Sequence, residues 1–432
     1  MRARCLDTAS VTVVLSLFIA SCSGRNGIVP TVATEQQPSE VSPQSRSFDN
    51  TFPSYRLLLL PPQLSPVKIN NNDVIVGNDL NTNAPLEYKD GHLITLPIIS
   101  GDSPGDVFDI NNDNQAVGDT IDTHYNGPML PECAGYPCPY IRAVLWEHGA
   151  VKDLGAAPSE NGEQSFQNTA ERINDRGEIA GESGYPVGGL KQDALAIFSP
   201  GRIHSILVRG MPAYGEIFGI NDSGEIVGES EVSPDLFSDE SFAYPAPIKC
   251  SPPIATVGAA IGGINDAGDT LSTTSNGQVL YCDRGIGIVL QNFSANSLND
   301  RGEIIGSATA AQPAIYFHGT VFRLNEGAPK ISAPALNVPA ISGHRFGKYF
   351  ISSDGTVRGH ILSISTGDAL LYRHGKYYDL NNLVPNHRGL QIQNPLGLND
   401  KGDVIGITFV CCSNPHFVPY ELVRRRGYDT GP

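Results

Sequence analysis

"INDRGEIAGES", at Ile173–Ser183, recurs 47 residues later as "INDSGEIVGES", at Ile220–Ser230, with nine of eleven positions identical. Asn and Asp side chains can hydrogen-bond the backbone two residues on, and Gly adopts a left-handed conformation without steric cost. The phrase therefore predicts a type I turn closed by a G1 bulge and followed by a strand. Six further copies of the phrase begin at Ile69, Ile110, Ile264, Leu298, Ile351 and Leu398.

The turn positions of the five clearest copies are our candidate structural site. We interpret their aspartates and glycines as turn-forming residues: Asp175, Gly177, Asp222, Gly224, Asp266, Gly268, Asp300, Gly302, Asp400 and Gly402. Where the glycine is missing, Asp73 and Asn114 replace it, and both residue types tolerate positive φ. Calcium is the alternative interpretation, but each turn offers one carboxylate whereas calcium takes six to eight oxygen ligands. We therefore expect no cofactor and no bound metal.

Each copy is followed by a second pair of apolar segments around a glycine turn. "RAVLWEHGAVKDLG" (Arg142–Gly155) and "DALLYRHGKYYDLN" (Asp368–Asn381) are examples. Two hairpins per copy give four strands, and the copies are 34 to 63 residues apart, which is typical of propeller blades with inserted loops. The sequence predicts an all-β fold, a β-propeller of four-stranded blades.

Eight copies of the phrase predict eight blades. Seven blades are the alternative, because the interval after Ile264 is short and the copy at Ile351 is poor. The last copy is not followed by a clear fourth strand, whereas "YRLLLLP" (Tyr55–Pro61) has no hairpin of its own. We therefore expect the N-terminal strand to close the last blade.

The N-terminus predicts export and lipid anchoring. Arg2 and Arg4 precede an uncharged stretch, and the pattern of residues 1–21 is that of a signal peptide. Ile19–Cys22 resembles a bacterial lipobox, which implies lipidation of Cys22; an ordinary signal peptide is the alternative. Residues 22–54 contain proline and polar residues and predict a disordered tether, and residues 55–432 predict a single β-propeller repeat domain. The expected location is the bacterial envelope, at the outer membrane or cell surface.

Composition supports a turn-rich β protein and argues against one class of partner. The chain has 46 glycines, 32 prolines and a formal net charge of −16. Such an acidic surface repels phosphate backbones, so we expect no nucleic-acid partner. The expected contacts are the membrane, through the lipid anchor, and a protein or glycan ligand.

Six cysteines remain in the predicted mature body, an even number that is typical of disulfides in an exported chain. Cys133 with Cys138 is the expected small loop closure, and Cys250 with Cys282 is a candidate pair across neighbouring units. Cys411 and Cys412 would form a vicinal pair or stay reduced. Metal ligation is the alternative, but no second C-x₂-C pair or histidine cluster accompanies these residues.

The "GINDxGxIVG" phrase, followed by "AVLWEHG" and then "VKDLG", resembles the extracellular HAF-repeat family of bacterial proteins. The resemblance covers about Tyr55 to Tyr428 and implies secretion and a propeller-like repeat fold, but no agreed reaction. Where the family has His-Ala-Phe, this chain has Arg142-Ala143-Val144. The turns also look like the Asp-box hairpins of sialidase propellers, which are structural and carry over no catalytic residue.

The longest insertion, around 122–141, is the candidate ligand-binding loop. It carries Tyr125, Tyr136 and Tyr140 beside the Cys133 and Cys138 pair, and a cross-linked aromatic loop on a rigid scaffold is a good contact surface. A loop that only packs on the rim is the alternative.

Two functions from different classes follow from the sequence. The first is an exported, lipid-anchored binding scaffold without catalytic residues. The second is a propeller glycoside hydrolase or polysaccharide lyase with carboxylates at a central channel. No nucleophile elbow, zincin or phosphate-binding motif occurs in the sequence.

Overall fold

The structure is a computed structural model. It describes residues 54–130, 133, 136–156, 164–187, 190–199, 202–206, 214–231, 239–245, 250, 260–273, 278–290, 293–300, 302, 304–308, 312–317, 320–323, 349–351, 357–360, 369–373, 376–387, 389–410 and 416–425. The predicted signal peptide, Cys22, the tether up to residue 53, Cys411 and Cys412 lie outside the described residues.

The described chain is all-β, as predicted. Strand β1 (Tyr55–Leu59) precedes a four-stranded sheet made of β2 (Leu64–Ile69), β3 (Ile75–Asp79), β4 (Pro85–Lys89) and β5 (His92–Thr95). The next eight strands share one sheet: β6 (Ser103–Ile110), β7 (Ala116–Asp122), β8 (Tyr140–Glu147), β9 (Ala150–Gly155), β10 (Gln167–Ile173), β11 (Ile179–Val187), β12 (Leu190–Ser199) and β13 (Arg202–Ile206). Its two sets of four strands are joined by a single parallel pair, Gln167 with Ile141.

The following sheets repeat the same order. The fourth set has three strands in the described residues, where the sequence predicts four: β14 (Tyr214–Ile220), β15 (Ile226–Glu231) and β16 (Asp239–Tyr244). Two four-stranded sheets come next: β17 (Ala260–Ile264), β18 (Thr270–Thr273), β19 (Val279–Asp283) and β20 (Ile286–Leu290), then β21 (Phe293–Leu298), β22 (Ile304–Ala308), β23 (Gln312–Phe317) and β24 (Thr320–Arg323).

The chain ends with two more sheets and one short helix. The first sheet contains β25 (Tyr349–Ile351), β26 (Val357–His360), β27 (Ala369–Arg373) and β28 (Lys376–Asp379), after which helix α1 spans Leu380–Leu383. The last contains β29 (Pro395–Leu398), β30 (Val404–Val410) and β31 (His416–Arg424). Within the described ranges, no helix has the length and apolar character needed to span a bilayer.

The sheets are arranged as a β-propeller. The first strand of each set contacts the first strand of the next, in the cycle β2, β6, β10, β14, β17, β21, β25 and β29, and β29 in turn contacts β2. The first strands therefore line the inside of the arrangement. The described turns that follow them are brought together at one end of this inner layer, and the turn after β25 lies outside the described residues.

The N-terminal strand completes the last sheet, as predicted. Strand β1 pairs antiparallel with β31, from Tyr55 opposite Arg424 to Leu59 opposite Tyr420. Tyr55 and Leu57 point into an apolar cluster with residues of β30, β31 and α1. The chain closes on itself through hydrogen bonds and apolar packing.

Apolar clusters fill the spaces between neighbouring sheets. Val76 on β3, Val107 on β6 and Trp146 on β8 share one cluster, and the Trp146 Nε1 donates a hydrogen bond of 2.7 Å to the Pro97 carbonyl. Burying each large apolar side chain stabilises the fold by roughly 1.5–3 kcal/mol. Successive residues of a middle strand enter clusters on opposite faces of its sheet, as Ala116 and Val117 of β7 do, so both faces of the sheet pack against neighbours.

A β-bulge interrupts the first strand of seven of the eight sets shortly before its turn, a feature that the sequence did not reveal; the described part of β25 pairs with β26 without a register shift. The register shifts at equivalent places, for example between Ala170 and Arg172 and between Ile217 and Gly219. A bulge adds a residue to one strand and increases local twist. The repeated bulge therefore sets the direction in which each turn leaves its sheet.

Candidate functional site

The repeated turns have the conformation that their residue types predict. In the third copy, the Gly177 N–H donates to the Asn174 carbonyl at 3.0 Å, and the Asn174 N–H donates to the Glu178 carbonyl at 3.1 Å. The Asn174 Oδ1 also accepts from the N–H groups of Arg176 and Glu178. All five candidate glycines have positive φ, as do Asp73 and Asn114 at the same turn position: Gly177 (77°), Gly224 (77°), Gly268 (79°), Gly302 (73°) and Gly402 (96°).

The turn asparagines also connect neighbouring sheets. In six of the seven, the Nδ2 donates to the main-chain carbonyl of the next turn's asparagine, at distances of 2.8 to 3.1 Å: Asn70 to Asn111, Asn111 to Asn174, Asn174 to Asn221, Asn221 to Asn265, Asn265 to Asn299, and Asn399 to Asn70. One side chain thus holds its own turn with its oxygen and the neighbouring turn with its nitrogen. The last of these bonds joins the two ends of the chain.

The turn aspartates form a second set of bonds between the same turns. The Oδ1 of Asp222 accepts from the Asp175 N–H at 3.0 Å, and that of Asp266 accepts from the Asp222 N–H at 2.8 Å. Asp300 and Asp175 accept equivalent bonds, and the Asp400 Oδ2 accepts from the Asn71 Nδ2 at 2.8 Å. All five candidate aspartates therefore accept a hydrogen bond from an adjacent turn.

We call the turns that these asparagine and aspartate bonds join the turn ring. The electrostatics of the turn ring follow from its row of aspartate carboxylates. Burial and the negative charges of Asp266 and Asp175 raise the pKa of Asp222, although the hydrogen bond from the Asp175 N–H acts in the opposite direction. In the described part of the chain, no three His, Cys, Asp or Glu side chains are grouped so that they could hold a metal ion.

A second reason for the turn glycines lies in the neighbouring turn. A Cβ added to Gly224 would lie 2.8 Å from the Glu178 Oε2, and one added to Gly268 would lie 3.0 Å from the Glu225 Oε2. The glycines therefore leave room for the side chain that follows the preceding turn. The sequence signal for this contact between turns is the recurrent Glu, Asp or Gln after the glycine. The sequence analysis predicted no role for these residues.

The cross-linked loop around 122–141 is built around its own small core. Both predicted disulfides, Cys133–Cys138 and Cys250–Cys282, are present. Cys133 and Cys138 pack with Leu130 and Phe166, and the loop backbone closes through a bridge between Met129 and Pro137. The Cys138 N–H also donates to the Pro128 carbonyl at 3.0 Å. The described part of the loop is thus fixed by covalent, apolar and main-chain contacts.

Arg142 anchors the base of this loop, a role that sequence reasoning missed. Its guanidinium pairs with Asp102 at 3.2 Å, Asp122 at 2.9 Å and Asp153 at 3.3 Å. The guanidinium carbon lies 4.8 Å from the centre of the Tyr140 ring, a cation–π distance. The available sequence signal was an arginine directly before the apolar strand segment Ala143–Trp146.

The three candidate tyrosines have different environments. Tyr140 packs on the loop core, and its ring lies edge-on to Tyr125 with centroids 5.3 Å apart. Burial raises the pKa of the Tyr140 hydroxyl, which favours its neutral form. Tyr125 is 39% exposed and Tyr136 is 68% exposed, and Met129 beside them is 62% exposed. We call Tyr125, Met129 and Tyr136 the loop surface.

Comparison with family models gives no match, and comparison with the sequences of curated proteins gives none. Among solved structures, the Dos1 propeller is similar with a TM-score of 0.42 and 9% identity, over 85% of this chain and 95% of that one. YCF48 bound to a D1 peptide matches with a TM-score of 0.37 and 11% identity, over 86% and 97% of the two chains. Likenesses of this size carry no argument about function.

Proposed function

We propose that this chain is an exported, lipid-anchored β-propeller of eight blades that serves as an interaction scaffold at the bacterial envelope. The eight-blade count is supported by eight copies of the turn phrase and by the closed cycle of contacts among first strands. In this proposal the eight-stranded sheet is two blades joined by one parallel residue pair. The lipid on Cys22 and the tether of residues 22–54 hold the propeller near the membrane.

The observation that carries the scaffold role is the contrast between the loop and the turn ring. The loop surface exposes two tyrosines and a methionine on a cross-linked base, whereas the ring carboxylates accept bonds that join sheets. Rigid loops that display aromatic side chains bind ligands with little loss of conformational entropy. The propeller is thus a support for the loop, and the ligand is a protein or a glycan.

The main experiment tests ligand binding by the mature chain. Purified protein is screened against a glycan array and against immobilised envelope proteins, in parallel with Tyr136→Ser. Binding that weakens at least tenfold in the variant supports the proposal. If every ligand binds the parent and the variant equally, the loop is not the contact surface.

Lipid anchoring has its own test. Mass spectrometry of the chain produced in a bacterial host should show a mature N-terminus at Cys22 that carries acyl chains. Cys22→Ala should abolish the acylation, whereas the control Cys5→Ala, within the signal peptide, should leave it unchanged. Acylated protein in the Cys22→Ala sample, or an unmodified Cys22 in the parent, would contradict the anchor.

One observation favours the hydrolase or lyase as a second candidate. Asp175, Asp222 and Asp266 are consecutive members of the turn ring, and Asp222 has a raised pKa, as a general acid requires. Against it, each of these carboxylates accepts a hydrogen bond from a main-chain N–H of the preceding turn. Turnover of a polysaccharide that disappears in Asp222→Asn, with folding retained, would favour this candidate.

A further inference from the structure

We infer that the loop surface binds a protein partner that presents an apolar residue flanked by lysine or arginine. This inference rests on the proposed scaffold function and specifies the ligand class. The starting point is a concentration of exposed apolar side chains. Of the nine large hydrophobic residues exposed in the described residues, three belong to this one loop: Tyr125, Met129 and Tyr136.

The side chains of the loop surface have a preorganised support. The Met129–Pro137 bridge places Met129 opposite the segment that carries Tyr136, and the Cys133–Cys138 disulfide closes the same segment. Gly127 lies against both the Tyr125 ring and Cys138, because an added Cβ would lie 2.8 Å from the Tyr125 Cε1 atom and would clash with the Cys138 carbonyl oxygen. Because the loop is ordered before binding, less of the contact energy is lost in fixing it.

The neighbouring carboxylates favour a protein over a glycan. A sugar site needs polar side chains that are free to bond hydroxyl groups, in addition to an aromatic face. Here the carboxylates beside the loop are occupied: Asp102 accepts from Thr120 at 2.6 Å as well as from Arg142. Asp122 accepts from the His124 N–H, and Asp153 from the Gly155 N–H.

The exposed residue types of the loop surface also favour a protein partner over a glycan. Tyrosine and methionine are enriched at the cores of protein interfaces, and the flexible thioether of Met129 adapts to an irregular partner surface. A flat sugar ring gains little from such a side chain. The loop surface therefore provides two apolar anchors, Met129 and Tyr136, that a protein pocket can enclose.

Charge specifies the partner further. Three carboxylates, of Asp102, Asp122 and Asp153, surround the single guanidinium of Arg142, which leaves two negative charges at the base of the loop. The whole chain has a net charge of −16. Complementary charges steer association and exclude acidic partners. A partner with basic residues around its apolar contact is therefore favoured.

The experiment uses the full mature chain as bait and a random peptide library displayed on phage as the probe, with a glycan array in parallel. The loop variant carries Met129→Ser and Tyr136→Ser. The control variant carries Ile94→Ser and Ile286→Ser, which are similarly exposed at 53% and 63% but lie on β5 and β20. Circular dichroism and disulfide mapping confirm that both variants fold.

The expected result is enrichment of peptides with an aliphatic or aromatic residue close to lysine or arginine. Their affinity should fall at least tenfold for the loop variant, stay within twofold for the control, and weaken as salt is added. Glycan binding that is lost in the loop variant would overturn this inference but leave the scaffold function standing. If no peptide and no glycan depends on the loop, both proposals fail.

Discussion

The interface that closes the propeller differs from an interface inside the chain. At the inner interface, between the turns of Asn174 and Asn221, one amide–carbonyl bond and one carboxylate–amide bond join the sheets. At the closing interface, between the turns of Asn399 and Asn70, the equivalent amide–carbonyl bond is present at 3.1 Å. The closing interface contains further side-chain hydrogen bonds beside this one.

These additional bonds centre on Asp73, which stands where the inner turns have glycine. The Asp73 Oδ1 accepts from the Asn399 Nδ2 at 3.1 Å, and its Oδ2 accepts from the Lys401 Nζ at 2.7 Å. Asn71 and Asp400 also exchange two bonds of 2.8 Å. The positive φ of Asp73, 61°, is tolerated because Asp adopts this region more readily than most residues.

Buried acids distinguish the closing interface further. Glu421 on β31 and Asp403 before β30 are both almost fully buried. Burial, with the charges of Asp403 and Asp73, raises the pKa of Glu421 to about 7, while Arg56 on β1 acts in the opposite direction. The Glu421 charge also contributes to the raised pKa of Tyr88, on β4 of the first sheet. Ionisable groups thus lie at the closing interface, and its strength should depend on pH and salt.

The largest expected effect tests the apolar part of the closure. Leu57→Ala removes a side chain that is 8% exposed and packed in the cluster with α1, whereas Leu59, two residues on, is 41% exposed. We expect Leu57→Ala to lower the free energy of unfolding by about 3 kcal/mol. Urea denaturation measures the change. Leu59→Ala should cost less than about 0.5 kcal/mol, and equal effects of the two changes would contradict the inward packing of β1.

The second prediction concerns the pH dependence of closure. Because the pKa of Glu421 is higher in the folded chain than in the unfolded chain, the folded state holds a proton that the unfolded state loses. The contribution of Glu421 to stability is therefore lost as pH rises from about 4.5 to about 7, by at most about 3 kcal/mol. Glu421→Gln should remove this loss.

Urea denaturation at pH 5 and pH 8 measures the effect of Glu421→Gln. At pH 8 the variant should be more stable than the parent chain. At pH 5 the folded carboxyl is still protonated and only the unfolded carboxyl is ionised, so the difference should shrink to about a quarter of its value at pH 8, which serves as the internal control. A parent chain that loses no more stability than the variant between these pH values would show that Glu421 is not a buried acid.

The third prediction tests the inner interface. Gly224→Ala places a Cβ at φ 77° and 2.8 Å from the Glu178 carboxylate, whereas Gly91→Ala, at φ 84°, meets nothing within 4 Å. Both changes force a side chain into the left-handed region, at about 1 kcal/mol. Gly224→Ala also displaces Glu178 from its bond with Asn174, so its total cost should be about 2 kcal/mol. The difference in thermal midpoint between the two variants isolates the contact between turns.

The smallest expected effect concerns the exposed ion pair at the closure. Lys401→Met removes the pair with Asp73, and because both groups are partly exposed, the cost should be about 0.5 kcal/mol at low salt. Arg176→Met is the matched change inside one inner turn, where Arg176 pairs with Glu178 at 3.2 Å. The effect of Lys401→Met on stability should vanish at roughly 1 M NaCl, because salt at this concentration screens exposed charges strongly. An effect that persists there would assign another role to Lys401.

Much of this fold could be predicted because each copy of the phrase specifies local structure. The conformation of Gly177, the cap formed by Asn174 and the strand after it depend on neighbouring residues alone. The loop cross-link was also readable, since Cys133 and Cys138 are close in sequence. The bulges before the turns could not be predicted, because an extra residue in one strand is recognised only when its pairing with the neighbouring strand is known.

The sequence by itself determined the turn chemistry, the strand content and the need for the N-terminal strand to complete the last sheet. Only the tertiary structure decided which groups of the neighbouring turns bond the turn asparagines and aspartates. It also decided that Arg142 pairs with three carboxylates at the base of the loop. The physical reason is distance along the chain. Conformational preferences act over a few residues, whereas the bonds between turns join residues from 34 to 329 positions apart and exist only when the sheets are packed.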